Sequence, residues 1–153
     1  MSAAAKQVQL TTAVVALLNA PPVAFTIGAF TAKRAYRPVS DLKEKAQGFK
    51  VSVIAGDGTG QPIDVQETEL TIPVAVVIQA KIEADTDCDQ YVQLAEQIQQ
   101  TLETASFAPA LDAHWTGDTR PGAPNPDTLE IQKVCSIVSV VSFRTRRART
   151  FTG

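Results

Sequence analysis

The 153-residue chain has little of what catalytic and metal sites are commonly built from: one histidine, His114, and two cysteines, Cys88 and Cys135. Any Ser-His-Asp or Cys-His arrangement would have to use His114 as its base. That residue adjoins Trp115 and precedes a stretch rich in glycine and proline, a setting that reads as a partly packed structural histidine rather than a catalytic one. The cysteines lie 47 positions apart with no CxxC, which excludes a zinc knuckle and a recognisable redox pair and fits a reduced compartment. Cys88 reads as an exposed thiol at a helix start and Cys135 as a strand residue. No apolar run approaches the roughly 20 residues that a helical membrane span needs. Lys6, the only early cation, is followed by Gln7, Gln9, Thr11 and Thr12, which makes a poor signal peptide, so the expectation is synthesis and folding in the cytoplasm without a membrane. Aromatic residues make up only 6%, too few to interleave with basic ones as a nucleic-acid platform requires, and a pI near 5.4 points the same way.

What is present is a composition for one globular domain, with 44% hydrophobic and 20% charged residues and a net charge of -2. At this length a folded chain hides roughly 70% of the surface its unfolded form exposes, so a core forms without metals or disulfides. The charge is unevenly distributed. Residues 1–50 carry seven Lys or Arg against Asp41 and Glu44, whereas residues 57–103 carry ten acids against Lys81 alone. Arg144, Arg146, Arg147 and Arg149 then make a basic cluster. Such asymmetry suits a subunit that meets an identical neighbour through a different surface; ordinary solvated charge accounts for it equally well.

Along the chain, Ala3 to Leu18 predicts a helix with Ala4, Val8, Val15 and Leu18 on one stripe, ended by Pro21-Pro22. Val23 to Arg37 reads as extended, with a bend where the apolar parity switches at Ala29-Phe30. Pro38 to Gln47 predicts one or two helical turns closed by Gly48. Phe49 to Ala55 predicts a strand. The clearest strand is Thr68 to Ile82, in which Leu70, Ile72, Val74, Val76, Ile78, Ala80 and Ile82 occupy every even position, while the other face begins polar with Glu69 and Thr71 and ends polar with Gln79 and Lys81. Pro73 lacks an N–H and places this strand at an edge or a bulge. A helix from about Asp87 to Ala105 follows, capped by Thr86, with Tyr91, Leu94, Ala95, Ile98 and Leu102 as its apolar stripe. A short strand near Asp112 to Thr116, a loop through Thr128 and one long strand from Leu129 to Arg146, apolar on both faces, complete the order. The expectation is an α+β domain over residues 1–153: a mostly antiparallel sheet, two main helices packed on it, and a basic, flexible tail at residues 144–153.

Motifs with chemical content are few. Asp85, Asp87, Asp89 and Glu96 fall on positions 1, 3, 5 and 12 of a calcium-loop spacing, but Gln90 stands where that loop needs glycine. An acidic first helical turn is the simpler reading. Gly56, Gly58 and Gly60 follow a strand, yet no helix and no Lys-Ser/Thr follow them, so a hairpin-type loop is expected instead of a phosphate cradle. The acids of the middle segment carry no pocket signature for acid-base work. The expectation is therefore no catalytic residue, no metal, no cofactor and no enzyme activity. The arginine cluster reads as contact with an acidic partner, as a solvated terminus or as contact with nucleic-acid phosphates.

In the order and hydrophobicity of its elements the chain resembles the small tail-terminator and head-to-tail joining proteins of long-tailed bacteriophages. The likeness spans about Tyr36 to Arg144. It rests on Tyr36-Arg37-Pro38 to Gly48 feeding the strand Phe49 to Ile54, then IPVAVVIQAKI (Ile72 to Ile82) and DQYVQLAEQIQQTLE (Asp89 to Glu103). Trp115, the proline-rich loop and LEIQKVCSIVSVVSFR (Leu129 to Arg144) complete it. Val134 stands where many relatives carry an aromatic, and the basic extension after Phe143 is longer than the pattern requires. The resemblance implies a ring-forming structural virion subunit, hexameric, that caps the tail tube and joins it to the neck or connector. It implies assembly in the host cytoplasm, residence in the virion, partners among tail-tube and neck proteins, and incidental contact with genomic DNA in the lumen. Arg144, Arg146, Arg147, Arg149, Asp85, Asp87 and Asp89 are the expected partner contacts. A neighbouring neck or head-completion protein, or a small ligand-binding or enzymatic α+β domain using His114 with Asp112 or Asp118, is the alternative.

Overall fold

The computed structural model describes residues 5–21, 24–28, 30–36, 49–62, 67–107 and 111–148; for Gln132, Arg147 and Ala148 it describes the backbone only. The expected helical turns at Pro38 to Gln47 and the parity switch at Ala29 lie outside the described residues.

Chain order is helix α1 (Lys6–Asn19), strands β1 (Ala32–Arg34), β2 (Phe49–Ala55), β3 (Thr59–Pro62) and β4 (Glu67–Lys81), a 3-10 turn (Asp85–Cys88), helix α2 (Asp89–Glu103), strand β5 (Ala113–Arg120), helix α3 (Pro126–Gln132) and strand β6 (Val134–Ala148). The sheet runs β1-β2-β4-β6-β5, with β3 also paired to β4. Only β1 and β2 are parallel; the other pairs are antiparallel. The α+β expectation is met, in a mixed sheet.

β4 owes its form to period-two alternation. Ile72, Val74, Val76, Ile78 and Ala80 all point into the core and are at most 2% exposed, and they meet Phe143, Val141, Ser139, Ile137 and Cys135 of β6 in register. On the same face α2 contributes Tyr91, Leu94, Ala95, Ile98 and Leu102, the stripe expected from sequence. Burying each of the larger side chains among these contributes about 1.5–3 kcal/mol. A polar pair sits inside this layer: Gln99 Nε2 donates to Ser139 Oγ at 2.9 Å, both residues buried. Aromatic rings Phe25, Phe30, Phe49 and Tyr91 run from the segment before β1 to α2 with neighbouring centroids 5.3, 5.9 and 5.5 Å apart.

The stripe of α1 is Leu10, Thr11, Val14 and Leu18, rotated from the expected one; Val8 and Val15 are only half-buried. An alanine- and valine-rich helix offers apolar atoms on every side, and contact with β1 and β2 selects the face. At its C-terminal end Asn19 stands in for a neighbouring strand beside β1: Oδ1 accepts from Ala32 N at 2.7 Å and Nδ2 donates to Ala32 O at 3.2 Å. The run expected to be extended from Val23 is instead broken by a turn in which Gly28, at φ 99°, donates to Phe25 O.

Pro73 lies in a central strand, not at an edge. β2 ends opposite Val74 and β3 begins opposite Thr71, so Pro73 falls in the gap between them. Its carbonyl accepts from Gly56 N at 2.7 Å on that side, where its own missing N–H leaves no partner strand unsatisfied. The glycine-containing segment is, as expected, part of a hairpin onto β4, with β3 inside it.

The long strand expected from Leu129 begins only at Val134. Residues 126–132 form α3, whose start is set by Asn125 Oδ1 accepting from Asp127 N at 2.9 Å and by Pro126 in the first turn. Lys133 in the left-handed region, φ 55°, ends it. β5 also runs further than expected, to Arg120. Its register shifts between Trp115 and Thr119 around Gly117, at φ 93°.

Candidate functional surface

At one end of the sheet the strands β3, β4, β6 and β5 carry polar side chains on the face away from α2. Thr71 stands opposite Arg144, Glu69 opposite Arg146, and His114 opposite Arg144 on the other side. The charges pair diagonally: Arg144 Nε lies 3.2 Å from Glu69 Oε1, and an Arg146 guanidinium nitrogen lies 3.8 Å from Glu67 Oε2. Residues 144–148 of the expected basic tail are the end of β6, with two of its arginines held by the neighbouring strand, and residues 149–153 lie outside the described residues. Each pair is partly exposed and contributes at most about 1 kcal/mol, although together they favour this register. Arg147 pairs through its backbone with Thr68, and Arg149 lies outside the described residues.

His114 is not packed. Its Nε2 lies 2.7 Å from Asp112 Oδ1, with both side chains 74% exposed. The structure thus joins two of the residues considered for an enzymatic site, on open surface. Asp118 is exposed, and its carbonyl accepts from Trp115 Nε1 at 3.2 Å.

The acids Asp85, Asp87 and Asp89 surround the 3-10 turn and the first turn of α2, all exposed. Asp87 acts on the backbone beside it, where its Oδ2 accepts from Glu83 N at 3.2 Å and from Ala84 N at 3.1 Å. It reaches back from inside the 3-10 turn, and α2 itself has no side-chain cap where Thr86 was expected to supply one. Among the described residues no three His, Cys, Asp or Glu side chains are arranged to hold a metal ion.

Cys88 departs from its expected exposure. It is 5% exposed, Cys135 is fully buried, and both are free thiols. Burial, together with Cys88 nearby, pushes the Cys135 thiol up to about 12. Burial likewise raises the Tyr91 phenol, with Cys135, Asp87 and Cys88 adding to the effect. Sequence distance hid this cluster, and no local motif announces it.

One cavity of about 310 Å³ opens between the start of α1 and the hairpin, lined by Lys6, Gln7, Gly58, Thr59, Leu70 and Ile72 among others. Gln7 Nε2 donates to Gly56 O at 3.4 Å beside it. No helix among the described residues is long and apolar enough to cross a membrane. No protein-family model and no curated protein matches the chain.

Proposed function

We propose that this protein is a structural subunit of a homo-hexameric ring, a tail terminator that caps a bacteriophage tail tube and joins it to the neck or connector. The observation that carries the reading is β6. It lies between β4 and β5, and its core-side residues are sealed by the helical layer. On its opposite side Val138 is 46% exposed and Val140 half-buried. Valine left open on an inner strand gains by being covered with a second copy. The charge division adds support. Exposed acids Glu83, Asp85, Asp87 and Asp89 follow β4, while Lys33 and Arg34 lie at the β1 edge, so two different surfaces of opposite sign are available for heterologous contact. The extended end of the sheet, with Arg144 and Arg146, is a surface on which tail-tube or neck proteins would seat, and lumen DNA would meet it only incidentally. The reading places the protein in the virion after assembly in a host cytoplasm, and it requires no catalysis, cofactor or membrane.

Light scattering across a concentration series, with negative-stain images of any large species, tests this. Six copies of the 16.3 kDa chain weigh about 98 kDa. A closed ring of that mass, dissociated by Val138→Glu without a change in thermal midpoint, supports the proposal. A monomer at every concentration, alone and mixed with tail-tube and neck proteins, refutes it. The cavity beside α1 favours a second reading as a ligand-binding domain, and saturable binding of a small molecule that shifts Lys6 and Gln7 NMR resonances would support that instead.

A further inference from the structure

The segment between β2 and β3 carries chemistry that a ring subunit does not use. Asp57-Gly58 is the only place in the chain where an aspartate or asparagine is directly followed by glycine. Both residues are exposed and lie between the two strands, outside either. Among the described residues the Asp57 carboxyl makes no ion pair or hydrogen bond and the Gly58 N–H has no acceptor, although Gly56 N beside them donates to Pro73 O at 2.7 Å. Other such side chains are engaged. Asn19 is bonded to Ala32, Asp87 to the backbone of Glu83 and Ala84, and Asp112 to His114, while Asn125 precedes a proline with no N–H.

We infer that Asp57 is a spontaneous modification site, at which the folded protein converts aspartate to isoaspartate and becomes a substrate for carboxyl methyltransferases that recognise isoaspartyl residues. The Gly58 nitrogen attacks Asp57 Cγ. A C–N bond forms, the bond from Cγ to its hydroxyl breaks, and the amide proton leaves with that hydroxyl as water, closing a five-membered imide. Water then opens the ring. Addition at Cγ restores aspartate, whereas addition at the main-chain carbonyl of Asp57 leaves the backbone running through the side chain. One water leaves, one enters, and no electron is transferred. Without a Cβ, Gly58 is free in its backbone angles and leaves its nitrogen open to approach, and no hydrogen bond of the loop nitrogen has to break first. The product has one more main-chain carbon between two held points. Gly56 is tied to Pro73 O, with Gln7 Nε2 3.4 Å from its own carbonyl, and Gly58 lies so close to β4 that a Cβ there would be 3.2 Å from Thr71 O. Thr59, opposite Thr71, begins β3 directly afterwards, so the added length pushes on that end of β3 and on the tie to α1.

The test stores the native protein in neutral buffer at physiological temperature for weeks and samples it for intact mass, peptide map, enzymatic methylation with labelled S-adenosylmethionine, and amide hydrogen exchange. The expected result is two peptides of equal mass spanning Asp57, one of them methylated, a minor species lighter by one water, and faster exchange at Thr59, Gly60 and Gln61 in the isoaspartyl product. Conversion should run about as fast as in the same chain held in urea, because the loop needs no prior opening. Asp57→Glu cannot close a five-membered ring on the next nitrogen and should show no conversion. Asp57→Asn should convert through the same imide with release of ammonia, and both variants should keep the parent's thermal midpoint. Conversion in urea but not in the folded protein, methylation elsewhere ahead of Asp57, or unchanged exchange across β3 would each overturn the inference. These readings concern chemistry within one chain and do not depend on whether the protein forms a ring.

Discussion

Replacing Asn19 tests the account of how α1 holds the sheet edge. The side-chain amide satisfies both the N–H and the C=O of Ala32, a residue 2% exposed. Two such bonds contribute about 2 kcal/mol net, and leaving the backbone groups without partners raises the loss toward 3. Alanine is the better helix former by about 0.6 kcal/mol, which offsets part of this. Asn19→Ala is therefore expected to lower stability by about 1.5–2.5 kcal/mol, or roughly 3–10 °C in midpoint for a chain of this size. Hydrogen exchange at the Ala32 amide should accelerate by more than the global change. Asn19→Asp sharpens the test. Its carboxylate still accepts from Ala32 N but faces Ala32 O with no proton to donate. At pH 7 it should be less stable than Asn19→Ala. As pH falls toward 4 the folded state takes up a proton more readily than the unfolded one, and stability recovers relative to the alanine variant. Urea denaturation of the three proteins at pH 7 and pH 4 reads this out. An alanine variant within 0.5 kcal/mol of the parent, or an aspartate variant with no recovery in acid, would refute the reasoning.

Three further outcomes follow from the packing. A Cβ at Gly122 would collide with the Val138 carbonyl, so Gly122→Ala should destabilise by more than about 2 kcal/mol or free residues 121–125 to proteolysis. Ser139→Ala leaves Gln99 without its buried acceptor and should lose about 1–3 kcal/mol, whereas the double change Gln99→Leu with Ser139→Ala should recover most of it; additive losses would contradict the pairing. Cys135 holds its proton to about pH 12 when folded against an ordinary thiol value of 9.0, so the unfolded state ionises first and stability should fall as pH climbs from about 9 toward 12. In Cys135→Ala that decline should be shallower in a pH series of chemical denaturation.

Elements whose periodicity decides burial were legible in the sequence. β4 carries an apolar residue at every even position from Leu70 to Ala80, and α2 repeats its apolar residues at helical spacing, so both could be placed with their core faces, although the burial of Val77 on the other face of β4 was not. α1 was located but its face was not, because Ala13, Val14, Val15, Ala16 and Leu17 provide apolar surface all round. α3 was hidden by composition. Asn125-Pro126-Asp127 looks like loop chemistry, yet it is equally the cap, first position and acidic first turn of a helix, and Lys133 supplies the stop. The surface was less legible than the fold. The Arg144–Glu69 and Arg146–Glu67 pairs depend on the register of β4 against β6, which no local pattern encodes, and the burial of Cys88 depends on a single turn folding back.

The placement of β6 has a consequence for biosynthesis. The strand that completes the middle of the sheet comes after every other described element in chain order, so β4 and β5 emerge from the ribosome with the fifteen-residue β4 edge still open. The β2–β4 hairpin and α2 involve neighbours in sequence and can form early, whereas the β4–β6 ladder must first close a long loop. Until Val134 to Ala148 is available, the nascent chain is a hairpin and a helix with an exposed valine-rich flank. That is the interval in which chaperone binding or mispairing with another nascent chain competes with folding.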